Sequence, residues 1–71
     1  MKYIRVVHNG SNIREFNDLN FDDLDKFIDE IVKGKSGAKE IFDAQRRGTW
    51  VKIYEYEDNT QDVFVCTILE K

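Results

Sequence analysis

The chain is 71 residues long with a net charge of −3, no proline and one cysteine, so it makes a single domain, residues 1–71. A hydrophobic content of 41% excludes a disordered polymer, and no apolar run approaches the ~18 residues of a membrane span. The mild acidity argues against a dedicated duplex-DNA binder, which carries a basic excess. Met1 and Lys2 lead straight into strand-like sequence, and Cys66 has no partner for an internal disulfide. The expected compartment is therefore the reducing cytoplasm.

Lys2 to His8 reads as a strand, with β-formers Tyr3, Ile4, Val6 and Val7 interrupted by Arg5. Asn9-Gly10 is a strong hairpin-turn signal. Ser11 to Phe16 is the candidate return strand, with Ile13 and Phe16 as its only large apolar residues. Asn17-Asp18 breaks the chain.

The clearest signal is the stretch that follows. With Phe21 at the origin and ~100° per residue, Phe21, Leu24, Phe27, Ile28, Ile31 and Val32 share one arc, and every other position is charged. The spacing predicts a helix over 21–33. Asn20 is its cap, and Leu19 and Leu24 have the spacing of a hydrophobic staple. Asp22 and Asp23 suit the positive end of the helix dipole, while Lys33 and a left-handed Gly34 suit its end.

Lys35-Ser36-Gly37 is a polar connector. Residues 38–47 read as a second, shorter helix: Ala38, Ile41, Phe42 and Gln45 share a face, and Lys39–Asp43 and Asp43–Arg47 have i,i+4 spacing. Gly48 ends it. Thr49 to Glu57 and Asp62 to Leu69 are strands joined by a turn at Asp58 to Thr60. That turn pairs Trp50 with Ile68, Tyr54 with Phe64 and Ile53 with Val65. Alternation then gives the hairpin an aliphatic face (Val51, Ile53, Val63, Val65, Leu69) and an aromatic one (Trp50, Tyr54, Tyr56 and Phe64, with Lys52, Cys66 and Ile68).

The expected fold is a small α+β domain of order β(β)α(α)ββ. It has a three- to four-stranded, mainly antiparallel sheet and the long helix packed on one face. The aliphatic face is the expected bed for that helix, joined by Ile4 and Val6. Tyr3, Arg5 and Val7 then fall on the aromatic side.

On this layering the rings of Trp50, Tyr54, Tyr56 and Phe64 form a free surface suited to a protein partner. The competing account is that the second helix covers them and they are ordinary core. A second candidate surface is the acidic row Asp22, Asp25 and Asp29, which can imitate a phosphate backbone. Its plain explanation is a solvated face with Asp22–Lys26, Lys26–Glu30 and Asp29–Lys33 pairs.

Several chemistries are set aside. Gly34-Lys35-Ser36 lacks the upstream glycine and the leading strand of a phosphate-binding loop. One histidine, His8, and one cysteine are too few for a structural zinc site. No serine sits in a nucleophile-elbow pattern. No catalytic residue, cofactor or metal is assigned.

The reading is a non-enzymatic protein-interaction module, an adaptor or an inhibitor of a partner protein. One version has the acidic helix covering the groove of a nucleic-acid enzyme. The alternatives are a single-stranded nucleic-acid binder, with bases stacked on the aromatic face and Arg5, Lys52, Arg46 and Arg47 on the backbone, and a structural homodimer that buries its aromatic faces.

Overall fold

The computed structural model describes all 71 residues, Met1–Lys71. The elements run β1 (Lys2–His8), β2 (Asn12–Asn17), α1 (Phe21–Lys33), β3 (Lys39–Arg46), β4 (Thr49–Glu55) and β5 (Gln61–Glu70). All five strands form one antiparallel sheet in the order β2-β1-β5-β4-β3. The domain is α+β as expected, but with five strands and a single helix.

The helix keeps its predicted bounds. Asn20 Oδ1 accepts from the Asp23 amide at 3.1 Å, and its Nδ2 donates to the Asp23 carboxylate at 2.9 Å. Leu24 and Ile28 are buried. Gly34 is not the left-handed terminator: its φ is −71°, and in the connector after the helix it is Gly37 that takes the left-handed region. None of the expected i,i+4 ion pairs forms, because the only salt bridges are Arg5–Glu15, His8–Asp62 and Lys35–Asp62. Asn20→Ala is expected to cost about 1 kcal/mol. The exposed Asp25→Ala should stay within about 0.5 kcal/mol of wild type in urea unfolding.

Residues 38–47 are the main correction. They form β3, an edge strand exposed along its whole length. Arg47 and Gly48 both take positive φ, 49° and 77°, and close a two-residue hairpin with Arg46 opposite Thr49. That turn matches the twist of paired strands. A ten-residue helix with two surface ion pairs is marginal in water, whereas β4 offers a full strand of pairing groups. Non-local hydrogen bonding overrides the local helical pattern.

The β4–β5 register also differs from expectation. The turn is Glu57–Asn59, one residue earlier. Asp58 Oδ1 accepts from the Thr60 amide and hydroxyl, and Asn59 takes φ 66°. Trp50 therefore faces Cys66, Lys52 faces Phe64, and Tyr54 faces Asp62. The slip is two residues, so each side chain keeps its expected face.

The layering is reversed. Ile4, Val6, Phe16, Leu24, Ile28, Phe64 and Cys66 form one buried cluster, with Phe27, Ile31, Val32, Trp50 and Tyr54 packed against it. The helix thus lies on the aromatic face. The cause is how β1 and β5 pair. Ile4 sits opposite Ile68 and Val6 opposite Cys66, so the oily pair of β1 joins the aromatic side. Arg5 and Val7 sit opposite Thr67 and Val65, on the other side. A helix on that other side would bury the Arg5 guanidinium.

Candidate functional site

Phe64 is fully buried. Its ring stacks on His8 (centroids 4.6 Å, planes 5° apart) and meets Phe27 and Tyr54 edge-on. Trp50 packs on Phe21 at 5.5 Å. Tyr56 is buried as well. Of the four rings expected to form a recognition surface, Phe64 and Tyr56 are therefore buried, and Trp50 and Tyr54 pack half-buried against the core that contains α1; no second helix covers them. The alternative of a base-stacking platform on these rings loses its surface. Its four basic residues are also scattered. Arg5 is held by Glu15 at 3.2 Å on the far face, and Lys52 lies beside Phe64. Arg46 ends β3, and Arg47 occupies its turn. Asp22, Asp25 and Asp29 are exposed along the outside of α1 and take part in no ion pair.

The face left open is the aliphatic one. Reading across the strands, Ile13, Val7, Val65, Val51 and Ala44 stand side by side. This apolar row crosses every strand of the sheet. Val63, Ile53 and Phe42 form a shorter row on one flank. On the other flank the row is Glu15, Arg5, Thr67, Thr49 and Arg46, followed by Tyr3 and Leu69. Val7, Val51, Ile53, Val63, Val65 and Leu69 are only half-buried, because no second layer covers them. Ile13 and Phe42, on the two edge strands, are 64% and 47% exposed.

The second notable arrangement is a buried carboxylate. Asp62 is 1% exposed and accepts four hydrogen bonds. His8 Nε2 (2.7 Å) and Asn9 Nδ2 (3.0 Å) donate to Oδ1. Lys35 Nζ and Tyr56 Oη, each at 2.7 Å, donate to Oδ2. Burial opposes the charge, but these donors outweigh it and hold the carboxyl well below its usual range. The ionised carboxylate can only accept, so Nε2 of His8 carries the proton. Burial, aided by the bond to Asp62, pushes the Tyr56 phenol far above its normal value. Asn9 also exchanges hydrogen bonds with Val63: its amide donates to Val63 O, and its Oδ1 accepts from Val63 N. The network ties the β1–β2 turn, the segment after α1 and the β4–β5 hairpin at one point. Every buried polar side-chain atom in the protein has a partner.

The readable sign of this network was an inward carboxylate. Asp62 shares its strand face with Phe64 and Cys66, where alternation calls for an apolar residue. Beside it, Lys35, Ser36, Glu57, Asp58 and Thr60 line an open polar groove of about 500 Å³. A smaller groove of about 290 Å³ lies between α1 and β2, where the Arg14 guanidinium rests over Phe16 and Phe27. Cys66 is buried, and burial pushes its thiol up to about 11, so it stays protonated and inert at neutral pH. No helix is long and apolar enough to cross a membrane. No protein-family model matches the chain, and no curated protein or solved structure matches it.

Proposed function

We propose that this protein is a non-enzymatic protein-interaction module that docks its partner on the helix-free face of the sheet. The observation that carries the reading is the apolar row Ile13–Val7–Val65–Val51–Ala44 across all five strands. A one-sided antiparallel sheet ordinarily turns polar residues to water. Here the middle of the outer face carries an unbroken apolar row beside its polar one, and contiguous exposed apolar area marks an interaction surface. Only Tyr3 and Phe42 supply rings there, on different strands. That suits a flat aliphatic protein surface and not the stacking of bases.

The function sits in the cytoplasm on this reading, as an adaptor or an inhibitor. The acidic outside of α1 lies on the opposite side of the molecule and stays accessible when the sheet face is occupied.

Paired substitutions test it. Val51→Thr with Val65→Thr keeps shape and β-propensity while adding hydroxyls to the centre of the row. Capture of a partner from host lysate should fall at least tenfold in this variant. Capture should survive in Asp22→Asn/Asp25→Asn/Asp29→Asn. The reverse pattern moves the function to the helix and overturns the reading.

A further inference from the structure

The partner that fits this face is a second copy of the chain. We infer that two copies associate through their open sheet faces, related by a twofold axis parallel to β5 and midway between the two sheets. The inference rests on the docking reading above.

β5 is the central strand, with β1 and β4 beside it and β2 and β3 at the edges. A twofold along β5 keeps every position along the strands and exchanges left with right. β1 then lies over the partner's β4, and β2 over the partner's β3. The apolar row meets itself reversed: Ile13 over the partner's Ala44, Val7 over the partner's Val51, and Val65 over the partner's Val65. The polar row also meets itself reversed, which brings Glu15 to the partner's Arg46 and Arg46 to the partner's Glu15. Opposite charges meet twice, at the two rims. A twofold running across the strands through the Val65 row would instead set Val63 and Ile53 on Thr67 and Thr49, apolar on polar. Self-complementarity of both rows under one operator is what an isologous pair needs.

The dimensions set the strength. β1 and β4 both pair with β5 only from Phe64 to Thr67, so five strands at ~4.8 Å and about four positions at ~3.4 Å overlap fully, an area of roughly 24 by 14 Å. Two such faces bury roughly 700 Å², the size of a weak, concentration-dependent association rather than a permanent one. Packed sheets of this kind lie ~10 Å apart with strands within ~30° of each other. The long side chains of Glu15 and Arg46 can absorb that rotation.

The open face carries both signs, Arg5, Lys39 and Arg46 against Glu15 and Glu55, one more cation than anion, whereas the acidic cluster Asp22, Asp23, Asp25 and Asp29 projects from α1 on the far side. Each chain alone buries only nine residues. A second layer would give the sheet a core on both faces, which a domain this short otherwise lacks.

Sedimentation velocity of the full chain, from about 1 to 200 µM, should show twice the 8.4 kDa chain mass at the upper end. Glu15→Arg and Arg46→Glu each create two like-charge contacts across the interface, and each should raise the dimer dissociation constant about tenfold. Mixing the two variants restores both opposite-charge pairs, so the mixture should regain wild-type affinity as a heterodimer. Both positions are exposed in the single chain, and circular dichroism of each variant verifies folding. A monomeric mass at 200 µM overturns the inference, and so does a dimer that neither substitution weakens. A monomer that still captures a lysate protein through Val51 and Val65 leaves the docking reading standing while removing self-association. If the Val51→Thr/Val65→Thr variant changes neither mass nor capture, the docking reading itself fails.

Discussion

Phe64→Ala should remove about half of the folding free energy, seen as a large fall in the urea midpoint relative to wild type. Phe64 is wholly buried at the centre of the helix-side core, in contact with rings from β1, α1 and β4. Removing a buried phenylalanine costs about 3–5 kcal/mol, the transfer of the ring plus the cavity it leaves. A domain of this length has a total stability of roughly 4–10 kcal/mol. The cavity cannot collapse easily, because His8 stacks on one side and is itself held by Asp62. Leu24→Ala and Ile28→Ala, which remove the helix side of the same cluster, should cost about 2–5 kcal/mol each. A Phe64→Ala variant with a near-normal midpoint would mean that α1 does not rest on this side of the sheet.

Asp62→Ala is the second large expectation, at about 3 kcal/mol. Breaking a buried pair by removing one partner costs about 3–5 kcal/mol. The lower end applies because Lys35 is partly exposed and can turn to water. Tyr56 cannot escape: its hydroxyl is buried and loses its acceptor. Tyr56→Phe, which leaves the carboxylate three donors, should cost only about 1–2 kcal/mol. The same network predicts acid lability. The Asp62 carboxyl is lower in the folded than in the unfolded chain, so its stabilisation is present above the unfolded value of about 4. It is lost as the pH falls below that value toward the folded one. At the alkaline end, Tyr56 is raised on folding. Its contribution holds below about pH 10 and declines above it. Urea midpoints measured between pH 2 and 7 should fall steeply below pH 4 in wild type and less steeply in Asp62→Ala. Parallel slopes would show that Asp62 is not the group responsible.

Residue order alone was enough for those features whose energetics are local. The helix from Phe21 to Lys33 was legible because its apolar arc, its Asn20 cap and its first-turn acids all act within a few residues of one another. The Asn9-Gly10 turn was legible because both residues must take positive φ, which these two types tolerate. The division of β4 and β5 into an aliphatic and an aromatic side was legible because alternation along a strand does not depend on what the strand pairs with.

The remaining features depended on contacts between segments far apart in the chain. Ala38 to Arg47 carries a respectable helical pattern, and its fate as β3 depended on the free edge of β4, more than a turn away in sequence. The side of the sheet that α1 covers depended on pairing between β1 and β5 at opposite ends of the chain. One residue of slip there would have put Arg5 under the helix and Ile4 in water. The four donors to Asp62 come from His8, Asn9, Lys35 and Tyr56, which nothing in the linear order groups. Local preferences amount to tenths of a kcal/mol per residue, while strand pairing and core burial act in whole kcal/mol across long separations. Where the two disagreed, the long-range terms prevailed and left the aliphatic side of the sheet facing outward.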